Sequence, residues 1–546
     1  MTIRQIDAIK IYQRKKCLII DDMSEIRGGL KRMLNTFGVA EVHTAANSEL
    51  AIDMCDKTEY DMVLCDYNLG EGQDGQQVLE ELRYRKLLKN SSLFLMITAE
   101  TSRDMVLGAL EYLPDDYLTK PITQTLLQTR LNRIVIRHED LLPIKEAIDR
   151  EDYRGAIGEC QAKLDAGGKY TGNYMRIQAE LLFRLEHYEE AQEIYEDSLK
   201  RSNPVWAQLG LGKTYLAQKR FKEAEAALKE VVKADHRFVE AHDLLAECYA
   251  SQADFTRAQR SMEDAATVSP KSVLRQRRLA NMAKQNEDTA TSLQARRAAL
   301  KVGEHSCYYS PQDYFDIVSE LLDDHGEEQN LETRVNNAKE AEMYLRRAER
   351  KHPNDKNLKL QRTAAQSRLA NYQKKSDQAD MLLEKAKKMH DDGTEEAFAE
   401  LELAQAMAAR GDKAGAAALI QKVAREHPDN EEIADRADIL SEEPVSKKGK
   451  KMAADLTRKG IKLYEDKEYD EAIDVFNRAI GLFPNHIGLR LNIAQVALTK
   501  AKLIGPTSDL QRTTTDNLEA ISDIDGGNAQ YARYQHLMKQ AGQIFP

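Results

Sequence analysis

Residues 62–75 read MVLCDYNLGEGQDG, and this stretch decides how the first part of the chain folds. The apolar run Met62-Val63-Leu64-Cys65 has the length and composition of a buried strand. It stops at the carboxylate of Asp66, and a glycine-rich segment that predicts a loop follows. Asp66 is therefore either a turn residue or a chemical group that is held at the end of a buried strand.

Similar apolar runs alternate with amphipathic stretches through residue 135, which predicts a parallel sheet covered by helices on both faces. The predicted strands are Cys17–Ile20, a short one around Val42, Met62–Cys65, Leu93–Ile97 and Tyr117-Leu118. The predicted helices are Ile26–Phe37, Leu50–Cys55, Val78–Leu88 and Met105–Leu113. The expected fold of this part is an α/β, doubly wound, five-stranded parallel sheet.

Polar side chains follow most of these strands. Asp21 and Asp22 follow the first strand, Asp66 the third, Thr98 the fourth and Lys120 the fifth. Ligands bind outside the carboxyl ends of such strands. Crowded carboxylates repel one another unless a cation is supplied, and Mg²⁺ prefers oxygen ligands. Together with a lysine and a hydroxyl, the cluster suits phosphoryl transfer to a carboxylate.

The order Asp-Asp, Asp, Thr and Lys-Pro, with one element at each strand end, resembles the receiver domain of bacterial response regulators over residues 14–137. The resemblance implies a flavodoxin-like fold in which Asp66 accepts phosphate from a histidine kinase or phosphotransfer protein. It also implies that Asp22, Asp66 and the backbone carbonyl of Asn68 bind Mg²⁺ directly, with Asp21 acting through water.

The same resemblance assigns roles to three further residues. Thr98 would hydrogen-bond the phosphoryl group, Lys120 would pair with it, and Tyr117 matches the family's aromatic switch. The receiver would catalyse only its own phosphoryl transfer and dephosphorylation, so the chain is not otherwise expected to be an enzyme. Dimerisation through the receiver is implied by the family alone. The segment 68–73 is longer than usual and lacks the family's proline, which predicts a more flexible loop.

Each of these residues also has an ordinary structural interpretation. Asp21 and Asp22 could cap a helix, as aspartate commonly does. Asp66 could be an ordinary loop residue and Thr98 an ordinary strand residue. Tyr117 could be a core residue, and Lys120 could be a solvated charge. Taken together, the structural interpretations would require five separate coincidences at the same sheet edge. This favours the receiver interpretation for the whole set.

After residue 138 the strand-like runs end, and alanine, leucine, glutamate and lysine dominate, as is typical of helices. An aromatic residue with an alanine three positions later recurs at steps of 35, 33 and 34 residues. The aromatic residues are Tyr153, Tyr188, Phe221 and Phe255. This period resembles tetratricopeptide repeats, which are antiparallel helix pairs that stack into an all-α superhelix.

The repeat region is expected over residues 138–440, with an insertion near 303–333. The polar and basic segment 441–452 is predicted to be a linker, because its composition suits a solvated hinge. Residues 453–546 are predicted to form a second repeat block with capping helices.

Composition limits the function. The net charge of −11 argues against a protein that mainly neutralises a phosphate backbone, so DNA binding is not expected. The start of the chain has no signal-peptide pattern, and no apolar run is long enough to insert in a membrane. The six cysteines are scattered, which favours a reducing cytoplasm.

These features predict a cytoplasmic two-component response regulator that controls an unidentified protein or peptide bound in its repeat groove. The helix that begins near Pro121 is expected to run on through Leu141 and to couple the receiver to the repeats. One alternative is a phosphorelay intermediate or phosphate sink. Others are a nucleic-acid-binding regulator that uses Lys447–Lys451 and a scaffold whose receiver is constitutive.

Overall fold

The structure is a computed structural model that describes residues 9–99, 114–252, 254–323 and 330–545. Glu100, which follows the fourth strand, and the predicted helix Met105–Leu113 lie outside the described residues. The chain divides into two compact units. The first comprises Met1–Gln252, Thr256–Leu279 and Ala298–Tyr309, and the second comprises Ala253–Phe255, Ala280–Arg297 and Ser310–Pro546.

The described part of the first unit contains a five-stranded parallel sheet, as the sequence predicts. Its strands are β1 Lys16–Ile20, β2 Glu41–Ala45, β3 Met62–Asp66, β4 Leu93–Thr98 and β5 Asp116–Thr119. Their spatial order is β2-β1-β3-β4-β5. Because β1 lies beside β3, the residues that follow these two strands come together at the carboxyl edge of the sheet.

Helices cover both faces of the sheet, because successive strand side chains point to opposite sides. The helices are α1 Ser24–Phe37, α2 Ser48–Lys57, α3 Gly75–Tyr84 and α4 Gln124–Asp149. Ile19 belongs to the core beneath α1 and α4, whereas Leu18 belongs to the core beneath α2 and α3. This two-sided burial confirms the doubly wound prediction.

Helix α4 belongs to two hydrophobic cores. Leu127 and Leu131 in its first half are buried in the receiver core. Leu141 and Ile144 in its second half pack into a core that includes Ala156 and Tyr174 of the repeat region. The helix is continuous for 26 residues, which confirms the prediction that it runs from the receiver into the repeats. The expected boundary at residue 137 therefore falls inside a helix.

The remainder of the first unit continues as helices. They are α5 Tyr153–Asp165, α6 Thr171–Arg184, α7 Tyr188–Ser202, α8 Val205–Ala217, α9 Phe221–Ala234, α10 Val239–Ser251, α11 Phe255–Val268, α12 Val273–Gln285 and α13 Thr289–Gly303. The last three each have residues assigned to both units. Helices α5, α7, α9 and α11 each begin at the aromatic residue of the sequence repeat.

The second unit is also helical in its described residues. Its further helices are α14 Gln312–Leu322, α15 Leu331–Lys351, α16 Lys356–Tyr372, α17 Ser376–Asp391, α18 Ala397–Ala409, α19 Lys413–Glu426, α20 Glu431–Leu440, α21 Lys447–Glu465, α22 Tyr469–Leu482, α23 Ile487–Ile504, α24 Ser508–Glu519 and α25 Tyr531–Ile544. The predicted insertion near 303–333 contains α14. Across the described ranges, no helix has the length and apolar character needed to cross a membrane.

A left-handed residue recurs in the turn inside the helix pairs, two positions before the second helix. Lys219 has this conformation before the aromatic Phe221. Non-glycine residues adopt it uncommonly, so its recurrence marks the repeat. The same geometry precedes α13 and α17, which lack the aromatic residue. The left-handed turn residues are Glu151 (φ 58°), Glu186 (φ 62°), Lys219 (φ 60°), Glu287 (φ 60°), Lys374 (φ 60°), Gly411 (φ 90°) and Lys467 (φ 65°).

The segment 441–452, predicted to be a linker, is held by a buried carboxylate. Asp438 is 3% exposed and accepts hydrogen bonds from the amides of Val445 (2.7 Å) and Ser446 (2.8 Å). Ser446 in turn caps α21 by accepting a hydrogen bond from the Gly449 amide (2.8 Å). The prediction was wrong from Lys447 onward, where the chain is helical, because composition alone does not reveal the cap that Ser446 and Asp438 form.

Candidate functional site

The acidic cluster, which we define as Asp21, Asp22 and Asp66, lies at the carboxyl edge of the sheet. Ile20 pairs with Cys65 in register, so the residues that follow β1 and β3 meet there. The three residues each place a carboxylate oxygen within 4.8 Å of the others. Asp21 and Asp66 are buried, whereas Asp22 is exposed. The cluster could therefore hold a cation that enters from the side of Asp22.

Lys120 is the cation that the structure places against the acidic cluster. Its Nζ donates hydrogen bonds to Oδ2 of Asp66 (2.8 Å) and to Oδ2 of Asp21 (3.0 Å). Its backbone amide donates to the carbonyl of Thr98 (2.6 Å), which fixes the start of the loop after β5. The predicted lysine and two of the predicted aspartates are thus brought into direct contact.

For both Asp66 and Lys120, burial and the ion pair that they form with each other shift the pKa in opposite directions. Burial raises the pKa of Asp66, and Asp21 and Asp22 raise it further, although Lys120 opposes them. Burial would lower the pKa of Lys120, but its hydrogen bonds to Asp66 and Asp21 outweigh burial and raise that pKa. The lysine is therefore held charged, while the Asp66 carboxylate is crowded by negative charge.

The donor atoms of the cluster fit a hard cation. Carboxylate oxygens are the ligands that Mg²⁺ prefers, and one ammonium group does not balance three carboxylates. Asn68, the remaining predicted ligand, is exposed in the loop after Asp66. Its side-chain oxygen accepts a hydrogen bond from the Gly70 amide (3.2 Å), so the backbone carbonyl is the atom left to the predicted metal role.

The two ends of the loop that follows Asp66 are joined by a backbone contact. Gly70 (φ 81°) and Gly72 (φ 99°) have left-handed backbone conformations that favour glycine. The amide of Gly75 donates to the carbonyl of Tyr67 (2.8 Å), which brings the two ends of the loop together. A Cβ atom on Gly75 would lie 2.2 Å from the carbonyl oxygen of Asp66, so only glycine fits at this point.

Thr98 and Tyr117 lie on the strands next to the cluster. Asp66 pairs with Ile97, so Thr98 is one position further along the neighbouring strand, and it is 1% exposed. Tyr117 pairs with Met96 and packs, partly buried, against the core beneath α2 and α3. The structure thus places Thr98 at the site edge and Tyr117 within β5, where its switch role stays a prediction.

Arg27 was not predicted from the sequence, although it supports the cluster. Its Nη1 donates hydrogen bonds to the backbone carbonyls of Asp21 (2.6 Å) and Asp22 (2.9 Å). The amide of Met23 also donates to Oδ1 of Asp21 (2.9 Å). These contacts hold the turn after β1. An arginine in the first turns of an amphipathic helix gives no sequence signal that separates this role from surface exposure.

The second unit contains a different arrangement of charges, which we call the Asp316 network. Asp316 of α14 accepts hydrogen bonds from Arg436 (2.9 Å) and Arg296 (3.2 Å). Arg296 also donates to Glu320 (2.8 Å), whose side chain is 2% exposed. Two little-exposed carboxylates, Asp316 and Glu320, thus face two guanidinium groups, and Arg436 also pairs with the exposed Glu432 (3.3 Å). The network holds α13, α14 and α20 together.

The basic stretch Lys447–Lys451 lies in the first turn of α21. Lys448 pairs with Glu431 at 3.4 Å and with Asp435 at 3.8 Å. Part of the charge that suggested nucleic-acid binding is therefore neutralised by the chain itself.

Comparisons with known proteins agree with this geometry. Residues 17–132 match the family described as response regulator receiver domain, and residues 182–248 and 398–430 match tetratricopeptide repeats. Chemotaxis protein CheY-3 of Vibrio cholerae is 33% identical over 127 residues, which cover 23% of this chain and 96% of that protein. Alkaline phosphatase synthesis transcriptional regulatory protein PhoP of Bacillus subtilis is 35% identical over 144 residues, covering 26% of this chain and 57% of PhoP.

A solved structure of Vibrio cholerae chemotaxis protein CheY4 is 27% identical and has a TM-score of 0.21, with coverage of 22% of this chain and 98% of that one. The receiver-domain match at residues 17–132 and the 33% identity to CheY-3 over 96% of that protein show that the chain belongs to the response regulator family through its N-terminal receiver domain. The receiver is followed by a helical region that contains tetratricopeptide repeats.

Proposed function

We propose that this protein is a two-component response regulator that is phosphorylated on Asp66 and controls protein binding through its repeat region. The observation that carries the proposal is the double contact of Lys120 with Asp66 and Asp21 inside the acidic cluster. In this proposal Mg²⁺ is bound directly by Asp22, Asp66 and the Asn68 carbonyl, with Asp21 acting through water.

Asp66 supplies the nucleophile in the proposed reaction. One of its carboxylate oxygens bonds to phosphorus as the bond from phosphorus to a histidine nitrogen of the kinase or phosphotransfer protein breaks. Lys120 offsets charge on the transferred group, and Thr98 donates a hydrogen bond to it. The bound Mg²⁺ would supply further charge neutralisation on the phosphoryl oxygens. Beyond this transfer and its hydrolysis, we propose no other catalytic activity.

Phosphorylation adds nearly two negative charges beside Lys120 and Thr98. We propose that these residues and Tyr117 shift between two arrangements of the receiver. Helix α4 supports this coupling because it belongs to both the receiver core and a core of the repeat region. The output is then a protein or peptide bound by the repeats, in the cytoplasm, and the receiver would also support a homodimer. DNA binding is not part of the proposal.

The proposal is tested by affinity capture with the full chain, with and without a small-molecule phosphoryl donor and Mg²⁺. Wild-type protein should capture a different set of proteins when the donor is present, whereas Asp66→Asn should capture the same set in both conditions. Capture of kinases and phosphotransfer proteins alone would indicate a phosphate sink. Identical capture in all four samples would indicate a constitutive scaffold, and salt-sensitive retention of nucleic acid would indicate the third alternative.

A further inference from the structure

Two parts of the repeat region contact the receiver segment that follows Asp66, and all of these residues belong to the first unit. One is Lys271, which lies between α11 and α12. The other is Val302–Tyr308, which comprises the last two residues of α13 and the start of the insertion recognised in the sequence. Both land on the segment Tyr67–Tyr84, which contains the glycine-rich loop and helix α3. The repeats therefore contact the part of the receiver that carries the acceptor loop.

Lys271 bridges the two ends of that loop. Its Nζ donates hydrogen bonds to Oδ2 of Asp74 (2.8 Å) and to the hydroxyl of Tyr67 (3.1 Å). The same Nζ lies 5.2 Å from the centroid of the Tyr67 ring. Burial would lower the pKa of Lys271, but Asp74 and Tyr67 outweigh burial and raise it. The lysine is thus held charged at this position.

The segment Val302–Tyr308 packs on helix α3 beside this bridge. The hydroxyl of Ser306 donates to Oε2 of Glu80 (3.2 Å), and both side chains are buried. The side-chain amide of Gln77 donates to the Val302 carbonyl (3.4 Å). The rings of Tyr84 and Tyr308 meet edge to face with centroids 5.3 Å apart. Helix α3 is therefore a contact surface for the repeat region. These contacts lie beside Lys271 and hold the repeat region against the receiver.

The loop that Lys271 spans contains the atoms that matter for the acceptor. Tyr67 follows Asp66 directly, and Asp74 caps α3 by accepting a hydrogen bond from the Gln77 amide (3.0 Å). Between them lie Asn68 and two glycines with left-handed backbones. Glycine gives a loop more conformational freedom than other residues do. A charged side chain that binds both ends of the loop reduces that freedom.

We propose that Lys271 is a positioning residue of the phosphorylation site, which holds the loop so that the Asn68 carbonyl faces the acidic cluster. This inference rests on the proposed function. The repeat region then contributes to the chemistry of the receiver across 197 residues of sequence. Because coupling free energies are reciprocal, metal and phosphoryl binding at Asp66 also alter the contact that Lys271 makes with the loop.

The test uses the full chain with Lys271→Met, which keeps a long apolar side chain but removes the charge. The readouts are the Mg²⁺ concentration that gives half-maximal phosphorylation by acetyl phosphate and the half-life of the phosphorylated form. We expect Lys271→Met to raise the required Mg²⁺ concentration by about two- to fivefold, as loss of one partly exposed charge pair predicts. Lys271→Arg should restore the wild-type value, because arginine can bind the same two groups.

Lys229→Met is the matched control. Lys229 pairs with Glu225 (2.7 Å) within α9, which belongs to the same unit. It should leave the Mg²⁺ requirement unchanged. A wild-type requirement in Lys271→Met, an equal change in Lys229→Met or a failure of Lys271→Arg to rescue would each overturn the role of Lys271, while phosphorylation of the wild type would still support the proposed function. Absence of phosphorylation in the wild type would instead remove the proposed function and this inference together.

Discussion

The acidic cluster of the receiver and the Asp316 network of the second unit are built from similar residues with different charge balance. In the described part of the chain, the first places the ammonium group of Lys120 against two of three neighbouring carboxylates. The second sets two carboxylates against the guanidinium groups of Arg296 and Arg436. Asp22 forms no ion pair with Lys120 among the residues that the structure describes, which leaves room for a cation at the first site. Each inner carboxylate of the second network, by contrast, is paired with a guanidinium group, which makes that network a structural contact.

The pKa values of Asp66 and Asp316 are shifted in opposite directions, in agreement with this difference between the two sites. The pKa of Asp66 is raised, chiefly by burial, with the neighbouring aspartates acting in the same direction. Burial acts on Asp316 too, but Arg436 and Arg296 outweigh it and hold its pKa well below the usual range. A buried carboxylate that remains poorly neutralised is costly to the fold, and such groups cluster at functional sites.

The largest expected effect is the loss of phosphorylation in Asp66→Asn. An amide cannot replace the carboxylate nucleophile, so we expect the rate with acetyl phosphate and Mg²⁺ to fall at least about 1000-fold, or about 4 kcal/mol. Phosphate-affinity electrophoresis measures this rate. The control Asp53→Asn changes an aspartate of α2 that pairs with Lys57, and it should react as the wild type does. Wild-type phosphorylation of Asp66→Asn would place the acceptor elsewhere.

Asp316→Asn should lower stability and leave phosphorylation intact, in contrast to Asp66→Asn. It breaks a largely buried charge network, so we expect the free energy of unfolding to fall by about 3 kcal/mol, measured by urea denaturation followed by circular dichroism. Phosphorylation of Asp66 should be unchanged. Asp197→Asn, which breaks an exposed pair with Arg201, should cost less than about 1 kcal/mol. If Asp316→Asn were as mild as that control, the network would not be the structural contact described above.

Gly75→Ala tests whether backbone packing, rather than charge, sets the acceptor position. The new Cβ atom would meet the Asp66 carbonyl oxygen at 2.2 Å, so the loop must shift. We expect a loss of about 2 kcal/mol in unfolding free energy and slower phosphorylation. Gly29→Ala in α1 is the control, because its Cβ would have no neighbour within 4 Å. That variant should be neutral or more stable, and equal effects of both substitutions would contradict the packing argument.

The smallest expected effect is the pH dependence of stability without Mg²⁺. The pKa of Asp66 is higher in the folded state, so its stabilising contribution is present below about pH 4 and is lost as pH rises through the folded value. Asp316 has a lowered pKa, so its contribution is present above about pH 4 and is lost as pH falls. Urea denaturation at a series of pH values should show the stability of Asp66→Asn rising relative to that of the wild type as pH increases from about 4 through the folded-state pKa of Asp66, by less than the Gly75→Ala effect. A constant difference would contradict the assignment.

Much of this fold could be predicted from sequence, because its signals are local. Buried strands appear as short apolar runs, and the residues that follow them must meet at one sheet edge. That argument identified Asp66, its acidic neighbours and Lys120 before any coordinates. The aromatic residues such as Tyr153 and Phe221 marked helix starts, because each repeat needs the same anchor at the same place.

Other features had no local signal. Lys271 and Asp74 are 197 residues apart, and Arg436 and Asp316 are 120 residues apart. A lysine or arginine at such positions has the sequence pattern of a solvated charge. The error at 447–452 has a different origin, since the Asp438 and Ser446 contacts that order the segment are local but composition alone does not show them.

The sequence by itself determined the class of protein, the carboxylates that meet at the sheet edge and the repeat architecture, because strand length, strand-end chemistry and repeat period are all properties of neighbouring residues. Tertiary structure alone decided which charges are balanced and which loop Lys271 holds. The physical reason is that charge pairing and loop support depend on distances across the folded chain, which are set only when distant elements pack together.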